Sequence, residues 1–423
     1  MQLSFHALAI FLFVLPPLYS QQSKIIELRS ADRLEGKMID NEEVRDLIGK
    51  VHFVQTTSEG SLVKVWCDRA LRFMKQNKIE LYGNVKVIRD SITIRAKEGV
   101  YHGDQKRMEG KKGVQLLRGK SVLTAVKGVY YVEENRAHFL ENVILIDTSS
   151  IITSNEMFYF EQERQSIAIG NVHVFETANA VHIYGDSLVY LEQQKATYVY
   201  KKPRLVKIDT SSSGIIDTMV VISQLMQSIR DTIDRFVAVD KVQMVKGDMA
   251  ARCGEATFYA KKDVIDMQDK PVIWSEENQV TADSIRIRMK DQKLQSLWAK
   301  HRSMVVSQAD TAFPNRYNQL TGRELTMYFH VNKLKQVDVQ KNASSLYYLY
   351  DNNAPNGMNK SSGDRIIIDF IDGQVDQIKV IGGIQGQYFP EKMILNREPE
   401  YNLDGFKLYT NRPKRFGSNI IIE

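Results

Sequence analysis

The chain has 423 residues, with 57 Lys and Arg against 51 Asp and Glu and a net charge of +6. Hydrophobic residues make up 43% and charged residues 26%, an ordinary folded composition that excludes wholesale disorder. Two cysteines exclude a disulfide scaffold and a cysteine-based zinc protein, and no apolar run reaches the roughly 18 residues of a membrane helix. The weakly basic balance permits acidic partners without demanding nucleic acid.

Residues 7–18 read ALAIFLFVLPPL, followed by Tyr19, Ser20 and Gln21. This is a secretory apolar core, so residues 1–20 are expected to be a signal peptide cleaved near Ser20, although no Lys or Arg precedes the run. No Cys follows it, which argues against a lipoprotein anchor.

An early unit spans about 27–57, and a repeat of about thirty residues then runs down the chain. Leu62, Ile92, Val122, Ile151 and Val181 open short alternating strands at steps of 30, 30, 29 and 30. Each opening is followed by an aromatic: Phe73, Tyr101, Tyr130 or Tyr131, Phe158 or Tyr159, and Tyr190. A polar turn and a second strand then end in GNV at 83–85, KGV at 112–114, ENV at 141–143 and GNV at 170–172, so Val85, Val114, Val143 and Val172 repeat every 29 residues. Period-2 alternation, as in Ile92, Ile94 and Ala96 against Thr93 and Arg95, predicts strands. The unit continues less regularly from Met249, Val280, Leu320 and Arg365, with Gly/Ser/Asn/Pro-rich insertions at 209–218, 307–319 and 351–364. About eleven units result. One segment, 219–239, carries Ile222, Leu225, Met226, Ile229, Ile233 and Phe236 at helical spacing, while its place in the repeat favours strands.

Two-strand units that cannot bury their apolar faces alone must stack, so an elongated all-β array is predicted. Eleven layers at ~4.8 Å give a rod of about 50 Å. Its end strands are unpaired edges capable of head-to-tail, non-closing association. Its interior, rich in Val, Ile, Leu and Ala, is either a dry core or an apolar groove, which periodicity does not distinguish.

The tandem pattern of AKEGVY at 96–101, AVKGVYY at 125–131, GNVKVI at 83–88 and GNVHVF at 170–175 resembles the OstA-like domain. That is the β-jellyroll of the LptA-type lipopolysaccharide transport family and of the N-terminal part of LptD. PVIW at 271–274, QVTADSI at 279–285, NQLTGREL at 318–325 and NASSLYYL at 342–349 look like the longer OstA-like proteins. The resemblance covers roughly 27–390. It implies an open β-jellyroll that accepts lipid A acyl chains and joins other lipopolysaccharide-transport jellyrolls, or copies of itself, end to end in the periplasm. The C-terminal SNIIIE lacks the terminal aromatic of an outer-membrane barrel, so a free periplasmic component is expected, with outer-membrane association left open. The expected organisation is a first array over 21–208, a second with loop insertions over 209–390, and a tail over 391–423.

No Walker loop, GxGxxG, HExxH or GxSxG occurs. The eight histidines lack metal-ligand spacing, and Glu133/Glu134 and Glu276/Glu277 sit in polar turns. No enzyme activity, cofactor, metal or nucleic-acid partner is therefore expected. Cys67 and Cys253 lie units apart and are expected to be unpaired buried thiols. The basic clusters Lys106, Arg107, Lys111, Lys112 and Lys201, Lys202, Arg204 are either a solvated rim or contacts for lipid A phosphates. A lipid-carrying bridge thus stands against a polysaccharide-acting β-solenoid, which would need an acidic ladder, and against a structural or adhesin-like array with a closed core. The expected acyl-chain contacts are the inward Val63, Val65, Ile79, Leu81, Val85, Val87, Ile92, Ile94, Val143, Leu145, Val172 and Val174.

Overall fold

Each GNV-type signature is where a strand turns a corner. In the hairpin of Lys78–Arg89 and Ile92–His102 the register runs from Lys78↔His102 to Tyr82↔Glu98 and resumes at Val85↔Ala96. Gly83 and Asn84 thus oppose one residue, and both are left-handed, with φ of 70° and 44°. Glycine and asparagine reach this region at least cost, which is why they recur in the signature. In the computed structural model the same two-residue step recurs at Gly49–Lys50, Lys112–Gly113, Glu141–Asn142, Gly170–Asn171, Lys201–Lys202, Asp240–Lys241, Asp269–Lys270, His301–Arg302, Lys341–Asn342 and Gly382–Gly383. That makes eleven corner steps among the described residues, which are 26–57, 60–178, 180–210, 216–290, 293–352, 354–416 and 419–422; Asp40–Asn41, Val331–Asn332 and Asp372–Gly373 share the backbone geometry but form hairpin turns. The expected signal peptide at 1–20 lies outside them.

The step bends each bulged strand from one wall of the molecule into the other. The two walls meet at this corner and face each other across an apolar interior. One continuous antiparallel ladder of 29 strands results, from Glu27–Ser30 to Gln385–Phe389, and it forms an elongated β-jellyroll. Because every unit lays two strands across both walls, eleven units at ~4.8 Å per strand span about 100 Å, twice the length expected from one layer per unit. The segment with helical spacing forms strands Ile216–Ile222, Leu225–Ile229 and the start of Arg235–Lys246. Ladder pairing on both sides, Leu205↔Val221 and Val221↔Met244, overrides its local periodicity.

Counted from the second residue of each step, the first and third positions point inward: Val51 and Phe53, Val85 and Val87, Val114 and Leu116, Val143 and Leu145, Val172 and Val174, all buried. They belong to one core that runs from Leu47 to Ile366.

The chain after the ladder doubles back along the outside. Its short helical turns, Glu391–Ile394 and Glu398–Tyr401, hold Arg316 between them, with Glu391 at 2.6 Å and Glu398 at 3.4 Å. Arg316 is 1% exposed. Further along, Gln279 donates to the Lys407 carbonyl and accepts from the Tyr409 N–H, both at 2.8 Å, and Trp274 donates to the Tyr409 carbonyl at 3.2 Å. Ile394 and Leu403 close a second small core over Met304, Val306, Leu346, Tyr348 and Met358. The second half of the array is therefore buried on both faces of one wall, which explains why alternation weakens there.

Two outcomes are expected. Gly83→Ala forces a Cβ into the Asp68 carboxylate at a left-handed position and should cost about 1–3 kcal/mol, read as lost hydrogen-exchange protection in 78–102. Arg316→Ala leaves the buried Glu398 and the half-buried Glu391 without their cation and should cost about 3–5 kcal/mol, with residues 391–412 becoming cleavable in limited proteolysis.

Candidate functional site

Three apolar cavities lie in the interior among the described residues. Val63, Val65, Ile79, Leu81, Val87 and Tyr101 line one of about 30 Å³. Val85, Val87, Ile94, Ala96, Val114 and Phe139 line the next, of about 20 Å³. Val181, Ile183, Leu205, Met226, Phe236 and Phe258 line a third, of about 40 Å³. A cavity that takes a benzene ring measures ~150 Å³, so these gaps are packing defects that widen only if the walls part. Met108, Met219, Met226 and Met244 border them, and methionine repacks easily around an irregular guest.

Of the twelve inward residues expected from the sequence, ten are buried: Val63, Ile79, Leu81, Val85, Val87, Ile92, Val143, Leu145, Val172 and Val174. Val65 and Ile94 are half-buried and pack against the same core, while Arg95 is exposed. Val143, Leu145, Val172, Val174 and Ile92 border none of the three cavities.

The mouth of the interior, opposite the corner, is closed by side chains. The fifth position after each of the first seven left-handed corner steps is Gln55, Arg89, Arg118, Asp147, Glu176, Lys207 and Lys246 in succession. Six of these reach the facing wall. Gln55 lies 3.1 Å from the Tyr101 hydroxyl. Arg89 donates to the Tyr130 hydroxyl at 2.9 Å and to the Val132 carbonyl at 3.1 Å. Arg118 donates to the Tyr159 hydroxyl. The Tyr190 hydroxyl donates to Asp147 at 2.8 Å. Glu176, 1% exposed, accepts from Ser228 at 3.2 Å and pairs with Arg230. The Lys207 ammonium stands 5.5 Å from the centre of the Phe258 ring. Burial, and then the negative charge of Glu161, whose carboxylate accepts a hydrogen bond from the hydroxyl at 3.0 Å, keep the Tyr130 phenol from ionising. Burial and Asp147 do the same for Tyr190.

The aromatic row was visible in the sequence, but its partners lie 41 to 46 residues earlier in the chain. They change from amide to cation to acid, so no consensus residue marks them. The first basic cluster is largely spent on local pairs: Lys106 with Glu133 at 3.2 Å, Arg107 with Glu109 at 2.6 Å and Lys112 with Glu98 at 2.5 Å. Lys112, Lys201 and Lys202 occupy left-handed corner steps, so they face away from the mouth. Four histidines stack on the outer faces of the walls: His52 on Trp66 with centroids 4.7 Å apart, His138 on Phe158 at 4.1 Å, and His173 beside His182 and Tyr184. Burial first, then neighbouring cations, pushes the His52 ring below its ordinary value.

The fold and this interior define a class, an elongated β-jellyroll with a lengthwise apolar core. Residues 22–177 match the family described as OstA-like protein, and residues 152–293 match the family described as LptA/(LptD N-terminal domain) LPS transport protein. Together the two matches place residues 22–293 in the OstA/LptA-like lipopolysaccharide transport family. Among solved structures it is similar to LptH, the LptA homologous periplasmic component of the lipopolysaccharide transport device of Pseudomonas aeruginosa. That likeness has 10% identity and a TM-score of 0.19, covering 35% of this chain and 82% of that one. No curated protein matches the chain.

Cys67 and Cys253 are unpaired, and burial pushes both thiols up to about 12. Both should therefore resist alkylation at pH 8 in the native protein and react fully only in denaturant, as read by mass spectrometry.

Proposed function

We propose that this protein is a non-enzymatic periplasmic carrier of lipopolysaccharide, exported by its N-terminal segment, which shields lipid A acyl chains between its two walls. The supporting observation is a single apolar core that runs through the whole ladder. Its walls are joined by backbone at the corner and by side chains at the mouth. Each buried methylene of an acyl chain contributes about 0.8 kcal/mol when it replaces water contact, so a lengthwise core suits a ligand of several chains.

The two ends support a bridging role. Among the described residues, Arg33–Ile39 pairs only with Glu42–Thr56 and exposes Leu34 and Met38. Gln374–Ile381 likewise pairs, among the described residues, only with Ala354–Ile371 and exposes Ile378 and Ile381. Such edges accept a strand from another jellyroll of the transport apparatus or from a second copy. A closed structural array is the second reading, and the small size of the cavities favours it.

A photoreactive residue at Ile94, in cells making lipopolysaccharide, separates the two readings. An adduct at Ile94 and none at the outward Arg95 is expected. Absence of adducts at Ile94, Val65 and Val87 in well-exported protein would overturn the carrier reading in favour of the closed array.

A further inference from the structure

The residues that close the mouth differ in charge along the molecule, and this carries an inference that rests on the carrier reading. In the first array the row reads Gln55, Arg89, Arg118 and then Asp147, Glu176. Directly beneath each lie the inward apolar residues, Val85 and Val87 below Arg89, Val114 and Leu116 below Arg118. An amphiphile whose chains lie on those residues therefore places its polar head at the arginines.

We propose that Arg89 and Arg118 form the anionic headgroup station of the groove, held closed by Tyr130 and Tyr159 when no lipid is bound and bounded downstream by Asp147 and Glu176.

Three features carry this. Arg89 is 6% exposed and donates to a phenol and a backbone carbonyl, while the Asp90 carboxylate stands at 3.7 Å and points to solvent. Arg118 has the matching arrangement, with the Tyr159 phenol across the mouth and Glu192 at 3.6 Å. Parting the walls breaks both phenol bonds, and a guanidinium left short of acceptors in a half-buried site is costly. A phosphate monoester supplies the missing acceptors in the planar, two-point geometry that guanidinium favours. The headgroup thus offsets the cost that entry of its own acyl chains creates. Past Arg118 the row turns acidic, with Asp147 held by the Tyr190 hydroxyl and Glu176 paired with Arg230, and the next cations of the row itself are Lys207 and Lys246.

The test uses the full-length protein with a photoreactive residue at Leu116. The two probes are purified lipopolysaccharide with phosphorylated lipid A and the same material after enzymatic dephosphorylation. For R89Q/R118Q, the concentration of phosphorylated lipid giving half-maximal adduct should rise about tenfold per arginine, while the dephosphorylated lipid crosslinks as in the parent. K112Q/R302Q, at the corner and away from the mouth, should leave both unchanged. Y130F/Y159F, which keeps the arginines, should form adduct faster and retain the preference for phosphate. Adduct from R89Q/R118Q equal to the parent with both lipids would overturn the headgroup station while leaving the carrier reading intact. An unchanged rate in Y130F/Y159F would overturn the closure by tyrosine. Absence of adduct from the parent with either lipid would overturn the carrier reading, and this inference with it.

Discussion

The two-residue left-handed step, once per unit, is the constraint on which the rest of the structure depends. It costs conformational energy wherever its residues are Lys, Asp or His rather than Gly or Asn. The return is a fixed corner. With the corner fixed, period-2 geometry alone decides that the first and third residues beyond it point inward and that the fifth reaches the rim. Core, mouth and outer face are therefore set together, unit after unit, by one backbone feature.

The same geometry grades the molecule mechanically. At the corner the walls are joined by covalent backbone and ladder hydrogen bonds. At the mouth they are joined by single side-chain bridges, each with a net contribution of roughly 0.5–1.5 kcal/mol. Between them lie buried apolar side chains worth about 1.5–3 kcal/mol apiece. Opening the mouth without a guest would expose that surface, so the apolar core keeps the empty molecule closed far more strongly than the bridges do. A guest that supplies its own apolar surface removes this penalty and shifts the population toward the open form. The strap over 391–412 stiffens the outer face of the second half, which leaves the first half as the more readily opened part.

Much of this was legible in the sequence, because repetition multiplies weak signals. The register of Val85, Val114, Val143 and Val172 marked a recurring turn at the end of each second strand, which the structure shows to be a corner inside a continuous strand such as Lys78–Arg89, and alternation marked the apolar face that carries Val65 and Ile94. Two things were not legible. The partners across the mouth, such as Arg89 and Tyr130, are separated by a twist of the walls that offsets them by several strands, and sequence spacing carries no information about that offset. The strap was hidden because Arg316, Gln279 and Gln319 look like ordinary polar strand residues until the segment that covers them is in place. The rod length was underestimated because a unit was counted as one layer, when its two strands each cross both walls.

On the carrier reading, the walls must part at the mouth to admit lipid. Distance measurement between spin labels at Lys120 and Glu163 tests it most directly, with the native cysteines replaced. These exposed turn residues flank the Arg118–Tyr159 bridge on opposite rims. The account predicts that saturating lipopolysaccharide lengthens this distance, while a pair placed across the corner at Asp68 and Lys97 stays unchanged. An unaltered rim distance in protein shown to carry lipid at Leu116 would contradict it.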